Sequence, residues 1–202
     1  MIESKIDSLF PVPVYRAKLN RELNKEELSF VEKTKVYKNE GNKTSLNSYV
    51  LEEAPFKTLK KEANLFIKDY FSKVLSTPKT VSPYITQSWL NYTDRNEHHH
   101  IHRHSNSYLS GVIYIYADKE CDQITFESNK YEQIKLPTME WNSFNSGSWF
   151  FPVESGDVIM FPSSLSHLVT KKKGYNTRIS LSFNVFVKGF LGEEENATEL
   201  KI

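Results

Sequence analysis

The chain has 202 residues, a hydrophobic fraction of 39% and a net charge of +1. These values are typical of a soluble globular protein of one domain. They give no indication of a nucleic-acid-binding or membrane-binding surface, and no apolar stretch is long enough to span a bilayer. A single cysteine, Cys121, excludes an internal disulfide and fits a reducing compartment. Without a recognisable signal peptide, cytoplasmic residence is the default expectation.

The first part of the chain combines one strand with two helices. Residues 9–19 (LFPVPVYRAKL) are predicted to form an edge strand, where prolines are tolerated. Residues 24–36 are predicted to be helical, with Asn24 as the N-cap. Residues 38–48 are polar and are predicted to form a loop. Apolar side chains at helical spacing predict a longer helix over residues 55–75.

From residue 84 onward the hydrophobic period changes to two, which indicates strands. The predicted strands cover residues 84–93, 107–117, 123–127, 146–151, 157–161 and 177–188. Many short strands after two helices predict a mainly β protein with flanking helices and a jelly-roll core. We therefore expect residues 1–202 to form a single domain. Residues 1–80 would be the N-terminal strand and supporting helices, residues 84–190 the jelly-roll core, and residues 193–202 a frayed acidic tail.

Five of the six histidines lie in one short segment, HHHIHRH, at positions 98, 99, 100, 102 and 104. If this segment is extended, its even-numbered histidines share one face and His99 lies on the other. Two imidazoles at i and i+2 can lean together onto one metal ion, with metal–nitrogen bonds of about 2.1 Å. A third ligand must come from elsewhere, and His167 is the only other histidine. A solvated histidine run is the alternative interpretation of this segment.

His167 follows an apolar strand and a sharp turn in residues 156–169 (GDVIMFPSSLSHLV). This pattern predicts that it begins the next strand and faces inward. The alternative is a core histidine with an ordinary hydrogen-bonding role.

The last strand, residues 177–187, alternates cleanly between apolar and polar side chains. A solvated polar face is the usual explanation, but in a jelly-roll that face can line a ligand cavity while helices cover the apolar face. Arg178 and Ser180, one pleat apart, can then bind a carboxylate, because a guanidinium forms bidentate pairs with such groups. Tyr114 shares a face with Ser110 on another strand and can offer its phenol to the same ligand.

The order of these motifs resembles that of the Fe(II)/2-oxoglutarate-dependent oxygenases. The motifs are His102-x-His104, Leu-Ser-Gly-Val at 109–112 with Tyr114, Gly156-Asp157, Phe161-Pro-Ser, His167 and Arg178-x-Ser180. The chain is similar in particular to a subgroup of small 2OG-Fe(II) oxygenases found in marine bacteria and phages. Members of that subgroup also begin with a Leu-Phe-Pro-x-Pro-Val strand, here residues 9–14, and carry Trp-x-Asn, here Trp89 and Asn91, before the histidines.

The resemblance implies a double-stranded β-helix that holds Fe(II) through His102, His104 and His167. It also implies that 2-oxoglutarate chelates the iron and is bound by Arg178, Ser180, Tyr114, Asn91 and Ser110. The implied reaction hydroxylates a small molecule or a protein side chain and converts 2-oxoglutarate to succinate and carbon dioxide. Zinc or nickel can replace iron in a preparation. A homodimer is one expected assembly, and a phage-encoded chain would work in the host cytoplasm.

The chain departs from the superfamily in one ligand, because it contains no His-x-Asp or His-x-Glu. Three neutral histidines should discriminate less well against zinc, nickel and copper. Glu97 or Asp94 could instead fold back as a ligand, or the pair could be His100 and His102. His98 could be a supporting group, an alternative ligand or solvated.

Two other functions stay open at this point. One is a cupin-like module that binds a metal or a small acid without turnover, and the other is a three-histidine dioxygenase that does not use 2-oxoglutarate. The aromatic residues of 126–151 could form a lid but are expected to be mostly core; they are Phe126, Tyr131, Trp141, Phe144, Trp149, Phe150 and Phe151. Trp141, in a polar stretch, is the predicted substrate contact.

Overall fold

The computed structural model describes residues 2–128, 134 and 136–202. The N-terminal part contains β1 (Tyr15–Lys18), α1 (Lys25–Lys33), β2 (Val36–Lys38), β3 (Lys43–Ser45) and α2 (Lys57–Tyr70). The strands that follow are β4 (Val81–Thr93), β5 (His99–His102), β6 (Leu109–Tyr116), β7 (Gln123–Glu127), β8 (Ser148–Pro152), β9 (Asp157–Pro162), β10 (Ser166–Val169), β11 (Arg178–Leu191) and β12 (Leu200–Lys201). Short 3-10 turns precede α2, and a π-helical turn, Phe71–Leu75, extends it.

The strands form two antiparallel sheets. The large sheet has the order β1-β9-β6-β11-β4-β3-β2, with β12 added to β11, and the small sheet has the order β5-β10-β7-β8. A small apolar core between them joins Val112, Ile159 and Phe161 of the large sheet to Ile124 and Phe126 of the small sheet. Two antiparallel sheets packed in this way form a double-stranded β-helix, so the predicted mainly β, jelly-roll fold class is confirmed.

The helices cover the other face of the large sheet. Leu59, Ala63 and Ile67 of α2 belong to one buried cluster with Leu181 and Phe183 of β11. This cluster is the destination of the apolar stripe that the sequence predicts for the second helix. The apolar face of β11 therefore packs on the helices, which leaves its polar face for the space between the two sheets.

A capping box starts α1, as the predicted N-cap requires. The Asn24 side chain accepts hydrogen bonds from the backbone nitrogens of Glu26 and Glu27, and Glu27 accepts one from the Asn24 backbone nitrogen. Arg21 pairs with Glu27 and also with Glu62 of α2, at 2.7 and 2.8 Å. This network ties the first helix to the second.

Three predicted segments differ from the structure. The strand predicted over residues 9–19 is confined to β1 at the sheet edge, and residues 2–12 are exposed. The predicted loop at 38–48 contains most of the β2–β3 hairpin, whose turn uses Gly41 at a φ of 88°. The tail is not fully frayed, because β12 pairs with the end of β11. Within the described part of the chain, no helix is long and apolar enough to cross a membrane.

Gly111 permits a close contact inside the large sheet. It pairs in register with Phe183, and a Cβ at position 111 would overlap the Phe183 ring. We expect Gly111→Ala to lower the free energy of unfolding by about 1–3 kcal/mol, because the buried ring must move. Urea unfolding measures the effect. Gly147→Ala is the control, since nothing lies within 4 Å of a Cβ there. Equal stability of the two variants would contradict this account of Gly111.

Candidate metal and co-substrate site

A bulge in β5 decides which histidines face the space between the sheets. His102 pairs with His167 of β10, but His99 pairs with Val169, so three steps on β5 match two steps on β10. One extra residue on a strand turns the side chains that follow it to the other face. The predicted common face therefore holds for His102 and His104, which line one cavity, but not for His98 and His100, which do not line it. His99 and His102 line the same cavity instead, with their rings stacked at 4.4 Å.

His102, His104 and His167 form an inner trio whose ligand atoms all lie within 4.8 Å of one another. The Nε2 atoms of His104 and His167 are 3.3 Å apart. Two nitrogens bound at about 2.1 Å to one ion are separated by roughly 3–3.5 Å. The Nδ1 atoms of His102 and His167 lie 2.8 and 3.1 Å from the carbonyl oxygens of His100 and Leu165. A proton on each Nδ1 satisfies those carbonyls and leaves Nε2 free to bind a metal.

Burial keeps the inner trio unprotonated. Desolvation, followed by the proximity of His102, lowers the pKa of His167 to about 3 and that of His104 to about 4. Desolvation also lowers the pKa of His102. Metal binding requires neutral imidazoles. These histidines are already neutral at pH 7, so a metal ion can bind without displacing a proton from them.

Aromatic side chains surround the trio. The Trp89 ring packs on His104 with centroids 5.6 Å apart, and the Phe161 ring packs on His167 at 4.6 Å. The sequence analysis noted Trp89 only as part of the Trp-x-Asn motif. Nothing in the sequence pattern around Trp89 indicated a contact with one of the candidate metal ligands. These rings each cover part of one imidazole.

Arg178 of β11 lies in the same cavity and is only 2% exposed. Its two terminal nitrogens make long hydrogen bonds of 3.4 and 3.3 Å to the Gln123 carbonyl and the Thr93 hydroxyl, and its Nε has no partner. Burial lowers the pKa of this guanidinium, and the neighbouring Tyr114 and Asp122 partly oppose that effect. Asp122 does not pair with it, because Lys172 holds that carboxylate at 2.7 Å. A buried guanidinium with these weak partners is poised to bind an acid.

The cavity around Arg178 and the inner trio is small, with a volume of about 30 Å³. Tyr114 is paired with Ser180 across β6 and β11, and both line the wall. Burial raises the pKa of Tyr114, so its phenol stays protonated and can donate. Within the described residues, the Ser180 hydroxyl has no hydrogen-bond partner, and it is therefore available to a ligand.

Asn91 and Ser110 also line the cavity, but their polar groups are already used. Asn91 accepts a hydrogen bond from Thr44 and donates one to Ser182. Ser110 bonds to Ser163 at 2.8 Å and to Asn184 at 3.0 Å. Both predicted co-substrate residues are thus in the wall of the cavity, where they brace other side chains.

The structure does not bring the alternative ligands to the inner trio. Glu97 accepts a hydrogen bond from the Asp94 backbone, and Asp94 pairs with Lys43 at 2.6 Å. His98 is exposed beside the Gly41 turn. His100 belongs to a different cluster, with His99 and His102. No carboxylate belongs to either histidine cluster among the described residues.

The aromatic segment is less buried than predicted. Phe126 is buried and Phe151 is half-buried, but Trp141, Phe144, Trp149 and Phe150 are exposed. The expectation that most of them are core is therefore wrong, and Tyr131 lies outside the described residues. Trp141 is 64% exposed and lines a surface groove with Leu136, Trp149 and Phe150; none of these residues lines the cavity of the inner trio.

A histidine trio and a buried arginine between the two sheets of a double-stranded β-helix form an arrangement that suits a non-haem metal site. Residues 87–184 match a family model described as "Putative 2OG-Fe(II) oxygenase". This segment carries all six histidines and Arg178. Over this segment the chain is similar to the 2OG-Fe(II) oxygenases, a family named for its cofactors Fe(II) and 2-oxoglutarate. The marine bacterial or phage origin of the subgroup stays a prediction. None of the curated proteins that were compared matches the sequence.

Solved structures share the fold at low sequence identity. HygX from Streptomyces hygroscopicus, solved with nickel, 2-oxoglutarate and hygromycin B, has a TM-score of 0.59 and 11% identity over 86% of this chain and 82% of its own. A prolyl hydroxylase from Trichoplax adhaerens, solved with a hypoxia inducible factor peptide, has a TM-score of 0.59 and 12% identity over 86% and 83%. An oxidoreductase of the 2OG-Fe(II) oxygenase family from Burkholderia pseudomallei has a TM-score of 0.54 and 12% identity over 84% and 83%.

The buried histidines predict an acid-labile metal-free protein. Unfolded His167 binds a proton near pH 6.5, whereas the folded residue stays neutral down to about pH 3. Its contribution to stability is therefore complete above pH 6.5 and is lost as the pH falls. We expect His167 alone to cost about 2 kcal/mol of unfolding free energy at pH 5. Urea unfolding at pH 7 and pH 5 measures this loss.

Two variants complete that experiment. His167→Gln should show a smaller loss between pH 7 and pH 5, while His98→Gln, at an exposed position, should match the wild type. An identical pH dependence in His167→Gln and the wild type would rule out His167 as a source of the effect.

Proposed function

We propose that the chain is a 2-oxoglutarate-dependent hydroxylase that holds Fe(II) with His102, His104 and His167. Arg178 carries this proposal. A metal binder alone has no need for a buried guanidinium in the same cavity, whereas 2-oxoglutarate has two carboxylates, one to chelate iron and one to pair with an arginine. The substrate is a small molecule or a protein side chain.

The charges of the site fit this co-substrate. Three neutral histidines leave the +2 charge of Fe(II) unchanged, so the 2-oxoglutarate dianion just balances the metal. A site of two histidines and one carboxylate carries a net charge of only +1 before 2-oxoglutarate binds. Arg178 adds one more positive charge at the other end of the cavity. The separation of the His104 and His167 nitrogens, 3.3 Å, suits two ligands of one ion.

The roles of the side chains follow from their positions. Arg178 binds the distal carboxylate of 2-oxoglutarate, and Ser180 and the protonated Tyr114 donate to it. Asn91 and Ser110 brace the wall behind them. Trp89 and Phe161 each cover part of one imidazole. When bound, Fe(II) and 2-oxoglutarate supply the oxidation of a C–H bond by oxygen, with release of succinate and carbon dioxide.

The groove next to β8 is the proposed substrate surface. Trp141, Trp149 and Phe150 expose large apolar areas there, and such patches commonly mark binding sites. Trp141 remains the proposed contact. An apolar or aromatic substrate, or a peptide with such side chains, would suit this surface.

Removal of the arginine tests the proposal. With Fe(II) and 2-oxoglutarate but no oxygen, the wild type should show the weak visible charge-transfer band of the chelate. Arg178→Ala should weaken 2-oxoglutarate binding roughly 10- to 100-fold, because hydrogen bonds to a charged group are lost in a buried site. Titration of the band with 2-oxoglutarate gives both affinities.

The control for that titration is Arg95→Ala. Arg95 is exposed and stacks on Tyr175, so its removal should leave the affinity unchanged. Absence of the band in the wild type would refute the use of 2-oxoglutarate. A band of equal affinity in Arg178→Ala would refute only the role of Arg178. Succinate release on admission of oxygen would establish turnover without a known substrate.

A further inference from the structure

A second histidine trio lies beside the inner one. The ligand atoms of His99, His100 and His102 all lie within 4.8 Å of one another. The ring centroids are 4.4 Å apart for His99 and His102, and 5.2 Å apart for each of the other two pairs. The bulge in β5 creates this trio, because in a regular strand His99 and His102 would project to opposite faces. We call it the outer trio.

His102 belongs to both trios, but it can serve only one ion at a time. Its Nδ1 is engaged with the His100 carbonyl at 2.8 Å, so Nε2 is its one free ligand atom. A ring nitrogen has a single lone pair, and imidazole therefore binds one metal through it. An ion at the outer trio takes His102 away from the inner trio.

The two trios differ in burial at one position, because His102 and His104 are half-buried like the members of the outer trio and only His167 is buried. His99 and His100 are half-buried, and the neighbouring His98 is exposed, whereas His167 of the inner trio is 6% exposed. The Nδ1 of His100 is buried without a hydrogen-bond partner. The carboxylate of Glu40, itself largely exposed, lies 3.8 Å from that nitrogen, so a negative charge stands beside the trio. An unpaired buried nitrogen next to a carboxylate favours the binding of a cation.

We propose that His99, His100 and His102 form a second divalent-metal site that competes with the inner trio for His102. Three imidazole nitrogens suit borderline ions such as Zn²⁺, Co²⁺ and Ni²⁺. Only the competition for His102 rests on the proposed iron site. The outer trio itself is present whatever the inner trio binds. Occupation of the outer site by zinc would leave the inner site with two ligands and so exclude iron from it.

Cobalt binding to a variant without the inner site tests this proposal. In His104→Gln/His167→Gln the inner trio keeps only His102, while the outer trio is complete. We expect this variant to bind one equivalent of Co²⁺, measured by calorimetry and by the visible absorption of the bound ion. Adding His99→Gln should weaken that binding at least 10-fold. Adding His98→Gln, the matched control outside both trios, should leave it unchanged.

Two outcomes would overturn the outer site. Failure of the double variant to bind Co²⁺, or equal affinity with and without His99→Gln, would overturn the outer site. If the double variant does not fold, as judged by circular dichroism, single His104→Gln carries the same comparison, because the inner trio then has two ligands. The wild type should bind one ion in total, and tight binding of two would overturn the competition for His102. None of these measurements uses 2-oxoglutarate, so they are independent of the Arg178 test.

Discussion

The pairing of β5 with β10 is the constraint on which the site depends. It sets His102 beside His167, residues that are far apart in the chain, through backbone hydrogen bonds rather than through any attraction between the side chains. On its other side β10 pairs with β7, which anchors it within the small sheet. The imidazoles are therefore held together before any ion arrives. Without an ion, the neutral imidazoles of the inner trio lower the free energy of unfolding at low pH. The two apolar clusters of the fold must offset that loss.

The central strand β11 holds the buried arginine of the site. Its apolar face packs on the helices through Leu181 and Phe183, and this packing holds the strand whether or not a ligand is present. Arg178 projects from the opposite face into a region that also contains a buried carboxylate, Asp122. Lys172 and Asn176 bind both oxygens of that carboxylate. Because Asp122 is neutralised by this pair, the guanidinium remains available for an acid from solution.

Features that depend on side-chain period could be predicted from the sequence. The alternation of residues 177–187 places Arg178 and Ser180 on the cavity face, as the structure shows, and Asn24 marks the start of α1. The β2–β3 hairpin was missed because its strands are short and polar, and it is stabilised by pairing with β4 rather than by an apolar face. The exposed aromatics of β8 were misjudged because Trp149 and Phe150 have the composition of a core strand. Only the tertiary fold shows that they face solvent.

The bulge in β5 is the feature that no pattern in the sequence indicates. Among consecutive histidines one extra residue changes no hydrophobic period, so the switch of His99 to the cavity face becomes visible only from the pairing with β10. Its consequence is chemical as well as geometric.

A regular strand would present His100, His102 and His104 on one face, as a single row of candidate ligands. The bulge instead divides the histidines into two trios that meet at His102. In the proposed iron site a histidine stands where the superfamily has a carboxylate, and such a site would be less selective for iron. If both proposed sites bind metal, the second set of imidazoles next to the first makes the choice of metal depend on how His102 is shared.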